Sequence, residues 1–231
     1  MTGTLINVLT VAVGSSIGLL LKSKLPEKYS IIVFQALGLF TLFLGVKMCF
    51  SSSELLILVF SIILGSLLGE FLKLESRLYS ISEKIKSKTK SSNTKFSEGL
   101  ITAFLLFCIG PMAIVGSIDE GLGKEPELLI VKSLMDGFSS IALAAVFGVG
   151  VLISIVPLLF FQGSITLFAE QLSSVLSEPM INEISACGGI LLMGIGISIL
   201  EIKKIKVVNM LPALMFPPFL LLFFDWIKSL F

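Results

Sequence analysis

The sequence predicts an all-α, polytopic transmembrane helical bundle of about eight spans, and three observations carry that expectation. Hydrophobic residues fill 55% of the 231 positions against 14% charged, with a mean hydropathy of +1.03, more apolar surface than a water-soluble core of this size can bury. The charges fall into a few short segments separated by apolar runs of about 20 residues, the length that crosses a hydrocarbon core. These runs are continuous rather than alternating, which selects helices over a closed barrel, the other architecture that satisfies every backbone group in lipid.

Taken in order, the runs place spans at 4–21, 30–50, 54–72, 98–116, 129–148, 151–169, 182–200 and 207–228. The first begins at Thr4 with no basic flank ahead of it, so it reads as a retained span and not a cleaved signal peptide. Direction follows from the cations, which concentrate in cytoplasmic loops. Lys22, Lys24 and Lys28 follow the first span, Lys73, Arg77, Lys84, Lys86, Lys88, Lys90 and Lys95 the third, and Lys203, Lys204 and Lys206 the seventh. Thirteen of the 17 basic residues thus share one side if there are eight spans, with both termini outside and 73–97 cytoplasmic. No charged loop marks the division at Gly148-Val149-Gly150, but merging the fifth and sixth spans would put Lys203, Lys204 and Lys206 outside.

After the third span, Phe71, Leu74, Leu78, Ile81 and Ile85 recur at helical spacing with Lys73, Arg77 and Lys84 between them. This is an amphipathic helix on the cytoplasmic face, suited to anionic lipid or to a subunit-pairing seam. Lys86 to Ser97, rich in Lys, Ser and Thr, reads as a linker, so residues 1–231 form one transmembrane domain with 71–97 as its cytoplasmic helix and linker.

Spans one to three and six to eight share a faint pattern. Gly14-Ser15 falls on Gly163-Ser164, and Gly38 and Gly45 fall on Gly189 and Gly196. Five spans separate the two starts, so the units enter from opposite sides: an inverted 3+3 repeat flanking a central helix pair, common among secondary transporters.

Polar side chains within the spans are the candidate solute or ion pathway, because each is costly in lipid. In the first span Asn7 lies on nearly the same side as Gly14 and Gly18, a small-residue packing face. The fifth carries Lys132, Asp136, Ser139 and Ser140, with both hydroxyls on the carboxylate's face. Asp136 there is either paired with Lys132 or a cation or proton site. The sixth carries a stripe of Gln162, Thr166 and Glu170, which Gln35 of the second is placed to face. Gly110 and Pro111 break the fourth span, freeing carbonyls near residues 106 and 107 and making 116–121 a flexible outer turn. Pro212, Pro217 and Pro218 disrupt the eighth, with Asn209 near its cytoplasmic start.

The remaining composition narrows the function classes. There is no histidine, and Cys49, Cys108 and Cys187 stand singly, so no metal site, cofactor or disulfide framework is expected. Ser164 follows Gly163 but has no imidazole to activate it, and no enzyme activity is expected. A net charge of +1 gives no reason to expect nucleic acid.

The order Gly3-Thr4, Asn7, Gly14, then Gly110-Pro111-Met112-Ala113, Gly116-Ser117-Ile118, Lys132, Asp136 and Gln162-Gly163 resembles the YdfK-type bacterial inner-membrane family, the domain of unknown function 554, over essentially the whole chain. The resemblance implies a multi-pass protein of the bacterial cytoplasmic membrane and supplies no activity. The residues themselves lead to a secondary transporter or channel for a small cation or polar solute, with Asn7, Gln35, Asp136, Ser139, Ser140, Gln162 and Thr166 along its path. The alternative is a non-transporting protein that binds lipid or a partner protein through the 71–85 helix. So short a chain leaves few helices to enclose a path, which keeps a homodimer among the expectations.

Overall fold

Large apolar side chains cover the outside of this molecule as well as filling its inside. Along α1 (Thr2–Lys22), Leu5, Leu9, Val13 and Ile17 are exposed at successive turns, and α3 (Leu55–Phe71) exposes Leu56, Val59, Phe60, Ile63 and Leu67. In water such a surface would aggregate; in lipid it is solvated. The chain is a membrane protein with several apolar helices. A computed structural model describes residues 1–22, 27–88, 95–108 and 110–228, and among them the regular structure is helical throughout. By length and composition five helices can cross a bilayer, or up to seven if each of two bent pairs counts as one span, with a shorter apolar stretch at Gln35–Cys49.

The described residues group into two compact units, one of residues 1–37 and 79–175 and the other of 38–78 and 176–231. The first contains α1, α5 (Phe96–Cys108), α6 (Pro111–Gly121), α7 (Glu127–Phe147), α8 (Val149–Ile153), α9 (Ile155–Leu167) and α10 (Ala169–Val175). Its centre is a close, parallel pair. Gly3 of α1 meets Leu129, Gly14 meets Gly137 and Ser140, and Gly18 meets Ile141 and Ala144, all on α7. Without side chains at these positions the two backbones come together over most of their length. Phe96, Phe107, Phe147 and Leu158 are fully buried in the same unit.

The second unit holds the latter part of α2 (Glu27–Cys49), α3, α11 (Glu178–Ile199), α12 (Val207–Met210), a 3-10 turn (Leu211–Met215) and α13 (Phe216–Lys228). Gly45 and Gly189 bring α2 and α11 into contact, and Gly65 and Gly69 admit the backbone at Ala213 and Asn209. Ile57, Met180 and Leu221 form one apolar cluster, and Leu58, Ala186 and Cys187 another. Buried Glu183 accepts from the Ser52 hydroxyl at 2.8 Å and the backbone N–H groups of Ser53 and Glu54 at 2.8 and 3.0 Å, closing the N-terminus of α3 with a carboxylate from another helix. In the loop ahead of α12, a hydrogen bond and the adjacent charge of Glu70 hold the Lys206 ammonium above its ordinary pKa.

The helix boundaries follow local chemistry, and several differ from the sequence expectation. The division at Gly148 is present: its φ of 81°, which suits glycine, ends α7 and lets α8 begin at Val149. The amphipathic segment is α4 (Leu74–Lys88), bent 57° from α3. Of the expected linker at 86–97, residues 89–94 lie outside the described residues, and Phe96 and Ser97 already belong to α5. The expected break at Gly110-Pro111 is present. Pro111 is the first residue of a new helix, α6, bent 60° from α5, because the N–H that proline lacks has no acceptor to lose at a helix start. The expected flexible turn at 116–121 is instead the end of α6, with Ser117 and Glu120 buried. Pro212 lies in the 3-10 turn, and Pro217 and Pro218 enter the first turn of α13.

Candidate intramembrane polar site

Three helices of the first unit bring polar side chains to one place. Asn7 comes from α1, Lys132 and Asp136 from α7 and Gln162 from α9, and all four are buried. Asp136 lies nine residues into α7, about 14 Å along a helix about 32 Å long at 1.5 Å per residue, so its carboxylate is well inside the apolar stretch. The Lys132 ammonium donates to Asp136 Oδ2 in an i, i+4 ion pair. Asn7 Nδ2 donates to the same carboxylate oxygen at 3.1 Å and to Gln162 Oε1 at 3.3 Å. Two polar atoms of this cluster, Asn7 Oδ1 and Gln162 Nε2, are buried without a hydrogen-bond partner. Buried polar groups are nearly always paired, and each unmade bond costs about 1–3 kcal/mol.

One turn nearer the start of α1, a second group adjoins the first. Thr4 Oγ1 lies 3.5 Å from Thr166 Oγ1 and donates to Glu120 Oε2 at 2.9 Å; Glu120 also accepts from the backbone of Gly3 at 2.5 Å. Thr166 in turn donates to the Gln162 carbonyl at 3.0 Å. Glu120 therefore closes the N-terminus of α1, where an anion opposes the helix dipole. Replacing Glu120 with Ala strands these donors and is expected to cost about 1–3 kcal/mol, read as a lowered unfolding midpoint in detergent; an unchanged midpoint would remove it from the support of α1.

Of the pathway residues expected from sequence, Asn7, Asp136, Gln162 and Thr166 come together and three do not. Ser140 is buried, but its hydroxyl donates to the Gly137 carbonyl at 2.7 Å and packs against Gly14, away from the cluster. Ser139 is half-buried and makes none of the cluster's bonds. Gln35 is exposed rather than facing Gln162, because the orientation of α2 follows its own packing and not the sixth-span stripe. Glu170, third in that stripe, is exposed at the start of α10. Thr4 and Glu120 were not anticipated. A groove of about 290 Å³, lined by Leu9, Val13, Gly14, Gly137 and Phe138 among others, runs along the α1/α7 seam on the apolar surface and does not include the cluster.

Comparison with known proteins adds kinship without chemistry. The family model described as "Protein of unknown function (DUF554)" matches residues 2–222. The "Uncharacterized membrane protein YdfK" of Bacillus subtilis (strain 168) is 38% identical over 222 residues, covering 94% of each chain. The "Uncharacterized protein YqgA" of Escherichia coli (strain K12) is 32% identical over 218 residues, covering 92% of this chain and 93% of that one. No solved structure matches.

Proposed function

Because the chain belongs to the DUF554 family, whose description names no activity, its function has to be read from its own residues, and we propose that it is a secondary transporter or channel for a small cation or polar solute. The observation that carries this reading is the Asn7–Lys132–Asp136–Gln162 cluster, polar groups from three helices held inside an apolar stretch with hydrogen-bonding capacity left over. A tie between helices has no use for unpaired buried atoms; a seat for a passing molecule does.

Directions within each unit support eight alternating spans. Gly3, Gly14 and Gly18 meet α7 in ascending order, so α1 and α7 run parallel, as first and fifth spans must. Gly65 and Gly69 meet Ala213 and Asn209 in descending order, which suits an antiparallel third and eighth. The glycines of the expected inverted repeat support it too. Gly38 approaches Gly196 and Gly45 approaches Gly189, and the correspondence of 38 with 189 and 45 with 196 turns each contact into the other, as a two-fold axis would.

With both termini outside, α4 lies on the cytoplasmic face. Its bend from α3 and the exposed Phe71 and Ile81 suit a helix resting in the interface. A cysteine in place of exposed Ser87 is expected to resist a membrane-impermeant maleimide in intact cells and to react in inverted vesicles; labelling in intact cells would reverse the orientation. The transport reading is tested with purified protein in liposomes. Wild type is expected to raise the uptake of tracer Na⁺, glycine or urea above protein-free vesicles, and Asp136→Asn to abolish the increase at equal expression. Unchanged flux in that variant would take Asp136 out of the mechanism.

A further inference from the structure

Two carboxamides meeting head to head can form two N–H···O bonds. Asn7 and Gln162 form one, at 3.3 Å from Asn7 Nδ2 to Gln162 Oε1, and leave the other pair, Asn7 Oδ1 and Gln162 Nε2, unpartnered in a fully buried position. The amide orientations are fixed by their neighbours. Turning Asn7 over would aim its carbonyl at the Asp136 carboxylate, which it meets at 3.1 Å, and turning Gln162 over would set one NH₂ against another. The pair thus retains one unused acceptor, Asn7 Oδ1, and one unused donor, Gln162 Nε2.

The charge around it is balanced. Asp136 is the carboxylate that Asn7 touches, and the Lys132 ammonium already occupies it. A metal cation arriving there would find its counter-charge spent and a second positive charge beside it, at a depth where uncompensated charge is costly. A solute with no net charge meets no such barrier.

Resting on the transport reading above, we infer that the seat between Asn7 and Gln162 takes a small solute of no net charge that presents a hydrogen-bond donor beside an acceptor, such as a carboxamide, a urea or an amino-acid zwitterion, and does not take a bare metal cation. Gln162 Nε2 donates to the solute's oxygen, Asn7 Oδ1 accepts from its N–H or O–H, and Asp136, paired with Lys132, holds Asn7 through its Nδ2.

The test uses the full chain in liposomes. Re-swelling after osmotic shock follows the entry of acetamide, urea, glycerol and glycine, and tracer uptake follows Na⁺ and Rb⁺. The expected result is entry of at least one uncharged or zwitterionic solute faster than in protein-free vesicles, with both cations at the protein-free rate. Asn7→Leu and Gln162→Leu, each confirmed folded by its unfolding midpoint, should slow that entry about tenfold or more, since each leaves the solute a polar atom without a partner. Movement of Na⁺ or Rb⁺ with none of the neutral solutes would overturn the assignment and leave transport standing. Solute entry unaffected in both folded variants would place the seat elsewhere. Movement of no probe at all would remove the transport reading and this inference with it.

Discussion

Replacing Lys132 with Met is expected to destabilise the protein by about 3–5 kcal/mol, the cost of leaving a buried charge without its partner, whereas Lys132→Met combined with Asp136→Leu should recover most of that loss. Asp136 is buried in α7 and its Oδ2 accepts from Lys132 and Asn7. Without the ammonium it retains a single neutral donor on that oxygen, inside a stretch that favours no charge. Without either group, a hydrophobic pair of similar volume fills the same space, and Asn7 keeps its bond to Gln162. Denaturant titration in mixed micelles of both single variants and the double gives the coupling directly. A double variant as unstable as the sum of the singles would mean that the two side chains act independently, against the ion pair.

Gly14→Ala and Gly18→Ala are expected to cost about 1–3 kcal/mol each through overpacking. A Cβ on Gly14 would overlap the Gly137 carbonyl oxygen, and one on Gly18 would overlap that of Ile141. Both obstacles are helix backbone and cannot rotate away, so α1 must move off α7. That displacement also separates Asn7 from Asp136, which bond across the same seam at 3.1 Å, so function should fall further than stability. Gly110→Ala is the control: a Cβ there meets nothing within 4 Å and the backbone is extended, with φ of −178°. Its midpoint should stay within about 0.5 kcal/mol of wild type; equal losses at all three positions would point to a general effect instead of the seam.

These positions also show what a sequence can disclose. Asn7, Asp136 and Gln162 were legible because a polar side chain within an apolar run has nowhere inexpensive to go except toward another polar side chain. Ser140 does not join them, because a serine in a helix can satisfy itself on a carbonyl of its own preceding turn, as it does on Gly137. The side on which Gln35 falls depends on how α2 packs, which periodicity in a uniformly apolar helix does not encode. Glu120 was hidden for a different reason. At the end of a short run, after glycines, it resembled a solvated loop residue, and only the restart of a helix at Pro111 carries it to Gly3 and Thr4. The break at Gly110-Pro111 was readable as a break, whereas the direction of α6 beyond it was set by tertiary packing.

On the transport reading, the Asn7–Lys132–Asp136–Gln162 cluster serves passage of a solute and not merely cohesion of three helices. Its most direct test is the flux carried by the folded Lys132→Met/Asp136→Leu double variant, measured in liposomes against wild type at equal amounts of folded protein and with whichever probe wild type moves. That variant is expected to unfold close to wild type and to transport at the rate of protein-free vesicles. Wild-type flux from it would contradict the transport reading and leave the cluster a structural tie.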